Sequence, residues 1–160
     1  MGKRRTLVVG VAALALVGWV GPTPAPEAQA ADCTFVYDLL LSPGIGGKPS
    51  SGPLRTEGKT GKFNCRGYKG DTGFDGQYGT AGPVTCASGG EGAGKLSYRM
   101  GFRDQEQNIR FSFGAIKDGK MSGTFSNDRY DGSYTFTATE GNCGGAITKG
   151  RLEGELTARP

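Results

Sequence analysis

The chain has 160 residues, with 19 Lys and Arg against 15 Asp and Glu, 30 glycines, four cysteines and no histidine. The missing histidine excludes Ser-His-Asp and Cys-His catalysis, together with the commonest general base and metal ligand. Glycine at more than twice its average usage of about 7% works against helix, where each glycine costs about 1 kcal/mol relative to alanine.

The first thirty residues read as a secretion signal. Gly2-Lys3-Arg4-Arg5 is a basic n-region, Thr6 to Val20 is mostly apolar, and Ala28-Gln29-Ala30 supplies the small residues that a signal peptidase reads. Cleavage is expected between Ala30 and Ala31, leaving a single secreted domain over 31–160 with no membrane span. The apolar run is short of the roughly 20 residues a span needs. Arg4-Arg5-Thr6-Leu7-Val8 resembles a twin-arginine signal. Asp32 directly before Cys33 excludes a lipoprotein site. Losing Lys3, Arg4, Arg5 and Glu27 leaves 16 basic and 14 acidic residues in the mature chain. So small a net charge gives no electrostatic case for nucleic acid or an anionic membrane.

Downstream of the leader the pattern is all-β: short alternating runs between turn signals, with no helical apolar stripe. Cys33 to Leu41 reads as a buried strand and Ser42 to Pro53 as a loop. Lys62-Phe63-Asn64-Cys65 and Gly82 to Cys86 read as short strands, and Ser88 to Gly94 as a flexible connector. Leu96, Tyr98 and Met100 share one strand face, as do Ile109, Phe111 and Phe113. Lys117-Asp118-Gly119-Lys120 joins two runs, and Asp-Gly predicts a type I′ hairpin turn. Tyr134, Phe136 and Ala138 share the inward face of the next run. Gly119-Lys-Met-Ser-Gly-Thr-Phe-Ser126 matches Gly150-Arg-Leu-Glu-Gly-Glu-Leu-Thr157 in residue type at every position. Gly123 and Gly154 then fall on an inward face between apolar side chains. Inward glycines let a sheet coil tightly, which predicts a small antiparallel meander barrel or a tight sandwich. Asp118 to Ser126 resembles an early hairpin strand of the avidin family of biotin-binding barrels. That family stacks biotin between tryptophans, and the only Trp here is Trp19, in the leader. The resemblance therefore implies a meander, not biotin.

Cys33, Cys65, Cys86 and Cys143 all lie in the mature part. An even count in an exported chain predicts two disulfides. Zinc is excluded by the absence of histidine and of any Cys-x-x-Cys pair. Three pairings are open. The favoured one is Cys65–Cys86, bracketing a glycine-rich loop, with Cys33–Cys143 joining the first strand to a late one.

Within that bracket Gly67, Gly70, Gly73, Gly76, Gly79 and Gly82 recur at every third position. Six triplets with one proline are too few for a collagen-like helix. The expectation is a long mobile loop whose rings, Tyr68, Phe74 and Tyr78, form an exposed contact surface. Asp71-Thr72-Gly73 matches the catalytic tripeptide of aspartic proteases, but no hydrophobic strand precedes it. Asp71 with Asp75-Gly76, and Asp128 with Asp131-Gly132, lack the spacing of a calcium loop and read as turns. Glu153 and Glu155 share a strand face that alternates with Leu152 and Leu156, so they point to solvent.

These readings predict a secreted, non-catalytic binding domain with no cofactor, whose partner is a protein, an envelope glycan or a small apolar ligand. A small apolar ligand requires an interior cavity lined by Leu96, Tyr98, Phe111, Phe113, Phe125 and Phe136. The alternatives are a small hydrolase of envelope polymers, which requires paired carboxylates across a cleft, and an accessory protein with no discrete site.

Overall fold

The computed structural model describes residues 32–50, 53–66, 68–70, 73–100 and 102–160. The predicted leader and its cleavage point, together with Asp71-Thr72, lie outside the described residues. Within them the chain is all-β: β1 (Cys33–Gly46), β2 (Pro53–Cys65), β3 (Tyr68–Gly70), β4 (Phe74–Thr80), β5 (Gly90–Met100), β6 (Arg103–Phe113), β7 (Lys120–Ser126), β8 (Tyr130–Glu140) and β9 (Ala146–Ala158). Among the described residues no helix is long and apolar enough to cross a membrane.

The strands pair in the order β1-β9-β8-β7-β6-β5-β4-β2, and β1 pairs with β2, which closes the sheet into an up-and-down antiparallel barrel. The short β3 adds to the end of β2. Of the two architectures predicted, the barrel is the one formed. Closure removes the edges that an open sheet would leave for aggregation.

Alternation decides which side chains enter the barrel. Phe35, Tyr37, Leu39 and Leu41 of β1 are buried while their neighbours are exposed or half-buried. Across the ladders, interior rings meet glycines. Phe35 pairs with Gly154, Tyr37 with Gly61, Phe74 with Gly58, Phe111 with Gly92 and Phe125 with Gly132. A Cβ on any of these glycines would overlap the ring opposite. The repeat has the same cause: Tyr134 of β8 pairs with Gly123 on one side and Gly154 on the other. So many rings fit one small barrel because each lies flat where its neighbour has no side chain.

The predicted hairpin turn is present, with φ of 50° at Asp118 and 72° at Gly119 and reciprocal backbone bonds between Lys117 and Lys120. Positive φ at both central residues is what a type I′ turn requires.

One end of the barrel is closed. The 81–89 segment folds across it: Val84 bridges Ser50, the Cys86 N–H donates to the Gly46 carbonyl, and the Ile116 N–H donates to the Cys86 carbonyl. Beneath lies a core of Ile45, Val84, Ile116, Met121, Phe136 and Ile147, with Phe136 and Ile147 wholly buried. The opposite end is the mouth, formed by the start of β1, the end of β9, the β7–β8 turn and the β5–β6 hairpin. That hairpin projects: β6 pairs with β5 from Arg103 to Phe113 but with β7 only from Arg110. Phe102 at its tip is fully exposed.

The disulfides are Cys33–Cys65 and Cys86–Cys143, which corrects the expected pairing. Cys33 and Cys65 are direct partners on the β1–β2 ladder at the mouth. The residues between Cys65 and Cys86 are not a loop to be tied; β3 and β4 run through them and carry the two cysteines to opposite ends. Cys86 sits in the closing segment, and Cys143 ties it to the β8–β9 connection. Both bridges point to an oxidising compartment.

Other boundaries differ from expectation. β1 runs on to Gly46, into the predicted loop, and β2 is thirteen residues long rather than a short strand at Cys65. Gly90 to Gly94 is the first half of β5 rather than a connector. Val84 and Thr85 make isolated bridges rather than a strand.

Candidate functional site

Above the closed core the barrel is not filled. A cavity of about 220 Å³ opens towards the mouth, and every barrel strand contributes to its lining. An eight-stranded barrel has an interior just wide enough to be filled by side chains or to hold one small ligand. Here the rings recessed against glycines clear that space. For scale, a dry cavity of about 150 Å³ lined by Leu, Ile and Phe admits benzene.

The lining is apolar and ring-rich. Phe35 and Tyr37 of β1 stand beside Phe74 of β4, with the Tyr37 and Phe74 rings edge to face at 4.9 Å. Tyr78 meets Phe111 the same way at 5.1 Å, and Phe111 stacks on Phe113 at 6.2 Å. Edge-to-face contacts of this kind hold rings in fixed orientations, so the walls keep their shape. Five of the six residues expected to line a ligand cavity do so: Leu96, Tyr98, Phe111, Phe113 and Phe125. Phe136 instead lies in the sealed core, leaning over Gly150.

The candidate contact residues fall differently from expectation. Phe74 and Tyr78 are inward-facing residues of β4, half-buried and buried, and both line the cavity rather than an exposed loop. The every-third spacing of glycine concealed the alternation of β4, in which Phe74, Gly76 and Tyr78 share the inner face. Tyr68 lies on β3, which pairs with the Cys65 end of β2 at the mouth, so its backbone is in a strand rather than in an exposed loop.

Polar groups enter the lining at few places. The Tyr78 hydroxyl is 3.1 Å from Thr56 Oγ1, and the Tyr134 hydroxyl donates to the Ser112 carbonyl at 3.2 Å. At the mouth Asn127 Nδ2 donates to Gln107 Oε1 at 2.6 Å, and Gln107 Nε2 donates to the Tyr98 hydroxyl oxygen at 2.8 Å. Burial pushes the Tyr78, Tyr98 and Tyr134 hydroxyls above the ordinary tyrosine range. The Thr56 hydrogen bond offsets part of that for Tyr78, and the Arg129 charge part of it for Tyr98. All three are therefore neutral hydroxyls at physiological pH. Sequence reasoning missed Gln107 and Asn127, because nothing local marks two amides that meet only when β6 and the β7–β8 turn come together.

A second, shallow depression lies on the outer face of β6 to β9 and β1, paved by Ser112, Ser122, Thr124, Ser133, Thr135 and Thr34. It spans about 870 Å³ but lies open to solvent. Glu153 and Glu155 stand on this outer face, both exposed, and Glu153 pairs with Arg151 at 2.6 Å. Asp131, considered for calcium, pairs instead with Arg159 at 2.5 Å, and the Asn127–Tyr130 turn accounts for its neighbourhood.

Comparison of the chain with family models, curated proteins and solved structures finds no match.

Proposed function

We propose that this chain is a secreted, non-catalytic binding protein that takes up one small, largely apolar molecule inside its barrel. The observation that carries this reading is the cavity: a ring-lined space that opens at the mouth of a barrel whose other end is densely packed. Apolar surface brought out of water there contributes about 25 cal/mol per Å². The few polar groups near the mouth suit orientation rather than bond cleavage, since the lining contains no carboxylate. The two disulfides and the expected export signal support a site of action outside the cytoplasm.

The test is a titration of the mature protein with naphthalene-sized apolar probes, read by calorimetry and by thermal stabilisation. Binding at micromolar affinity is expected, with a melting temperature that rises with probe concentration. Leu96→Trp, which puts a larger side chain into the cavity, should abolish binding while the protein stays folded. A wild-type protein that binds no probe, or a Leu96→Trp variant that binds as well as wild type, would refute the reading.

A further inference from the structure

The hydrogen bonds at the mouth have a direction. Asn127 Oδ1 accepts from two backbone N–H groups, those of Arg129 and Tyr130, each at 2.8 Å. A carbonyl oxygen can accept from these and an amide nitrogen cannot, so the orientation of the Asn127 amide is fixed by the turn it closes. Its nitrogen is then obliged to face Gln107 as a donor, and Gln107 must answer with its oxygen. That leaves Gln107 Nε2 facing Tyr98, where it donates to the hydroxyl oxygen. The Tyr98 oxygen is thus used as an acceptor, and its proton is left to donate. Among the described residues no acceptor takes that proton. Tyr98 is half-buried and lines the cavity, so the relay ends on a donor at the mouth of a largely apolar chamber, to whose lining Arg99 also contributes.

We infer that the ligand carries a hydrogen-bond acceptor, a carbonyl or carboxylate oxygen, at the end facing the mouth, and that the Tyr98 hydroxyl donates to it. This rests on the function proposed above. The ligand is then an amphiphile: a compact hydrocarbon or aromatic body among the rings, with an oxygen head at Tyr98. Asn127 and Gln107 are positioning residues, since they set what Tyr98 offers. A purely donor head, such as an ammonium, meets another donor there and is disfavoured.

Two probes of nearly equal shape separate this inference from the cavity reading: 2-acetylnaphthalene, with a carbonyl head, and 2-ethylnaphthalene, without one. Wild type should bind the ketone about fivefold more tightly, the worth of one net hydrogen bond. Tyr98→Phe removes the donor and should bring the ratio of the two affinities to about one. Asn127→Asp keeps an oxygen for the two backbone N–H groups but presents another oxygen to Gln107. The Gln107 amide then turns over, its oxygen takes the Tyr98 proton, and the ketone preference is lost although Tyr98 is still present. A mere packing role for Asn127 would not produce that loss. Equal binding of the two probes by wild type, or a preference that survives in either variant, would overturn the inference and leave the cavity reading standing. If neither probe binds wild type, both fall together.

Discussion

At the closed end of the barrel, Phe136 and Ile147 are sealed from solvent, the 81–89 segment lies across the strands, and a disulfide holds it there. At the mouth the same strands carry Phe125, Leu96 and Tyr98, which border empty space, and the walls are joined by side-chain amides where β6 has run past β7. One sheet therefore serves two purposes. Its lower half supplies the packing that stabilises the fold, and its upper half is relieved of that duty and free to leave a chamber. The difference between the halves teaches where the lining can be altered without unfolding the protein.

The sharpest way to break this comparison is to delete a ring at each end. Phe136→Ala should cost about 4 kcal/mol, because the sealed core cannot collapse around the loss. Phe125→Ala, half-buried beside the chamber, should cost about 2 kcal/mol and weaken probe binding more than it weakens the fold. Denaturant midpoints measure both, and equal losses would erase the distinction between the ends. The bridges come next. Replacing Cys86 and Cys143 by Ala removes a link across 57 residues and should cost about 3–4 kcal/mol; the Cys33–Cys65 link, across 32, should cost about half a kcal/mol less. Opening the mouth bridge should leave the packed core protected from hydrogen exchange, whereas opening the other should expose it.

The smallest effect is that of pH. With no histidine, stability between about pH 6 and 9 should be flat. The buried tyrosines have hydroxyls raised above the ordinary value of 10, so they remain protonated in the folded state where the unfolded chain has lost its protons. Their contribution is complete below about pH 10 and is lost as pH rises from there towards the folded values. Tyr134→Phe should flatten that alkaline decline more than Tyr98→Phe, because the mouth residue is less buried.

Much of this architecture was legible in the residues. Alternation in Ile109 to Phe113 and Tyr134 to Ala138, the Asp118-Gly119 turn and the inward pair Gly123 and Gly154 each pointed to a curled antiparallel meander. What misled was glycine between Cys65 and Cys86. Gly76 looked like a flexible joint because its role, leaving room for the Tyr78 ring two residues on and for Thr56 across the sheet, appears only once β4 is paired with β2. The disulfide pairing failed with it, since a supposed loop needs its ends tied and a strand carries them apart. The chamber's apolar lining was foreseen through Leu96, Tyr98, Phe111, Phe113 and Phe125. Its polar lip was not, because Gln107 and Asn127 are twenty residues apart and acquire meaning only as a pair.

The ring-on-glycine pairings carry one more consequence. Where Phe35, Phe74 and Phe125 lie flat, the chamber's calibre is fixed by atoms that are absent from the opposite strand. A single methyl at Gly58 or Gly132 would tilt the facing ring inward and narrow the bore, though neither position lines it. Under the proposed function, such a scaffold can be re-gauged for a slimmer guest from behind its own walls, leaving every lining residue unchanged in sequence.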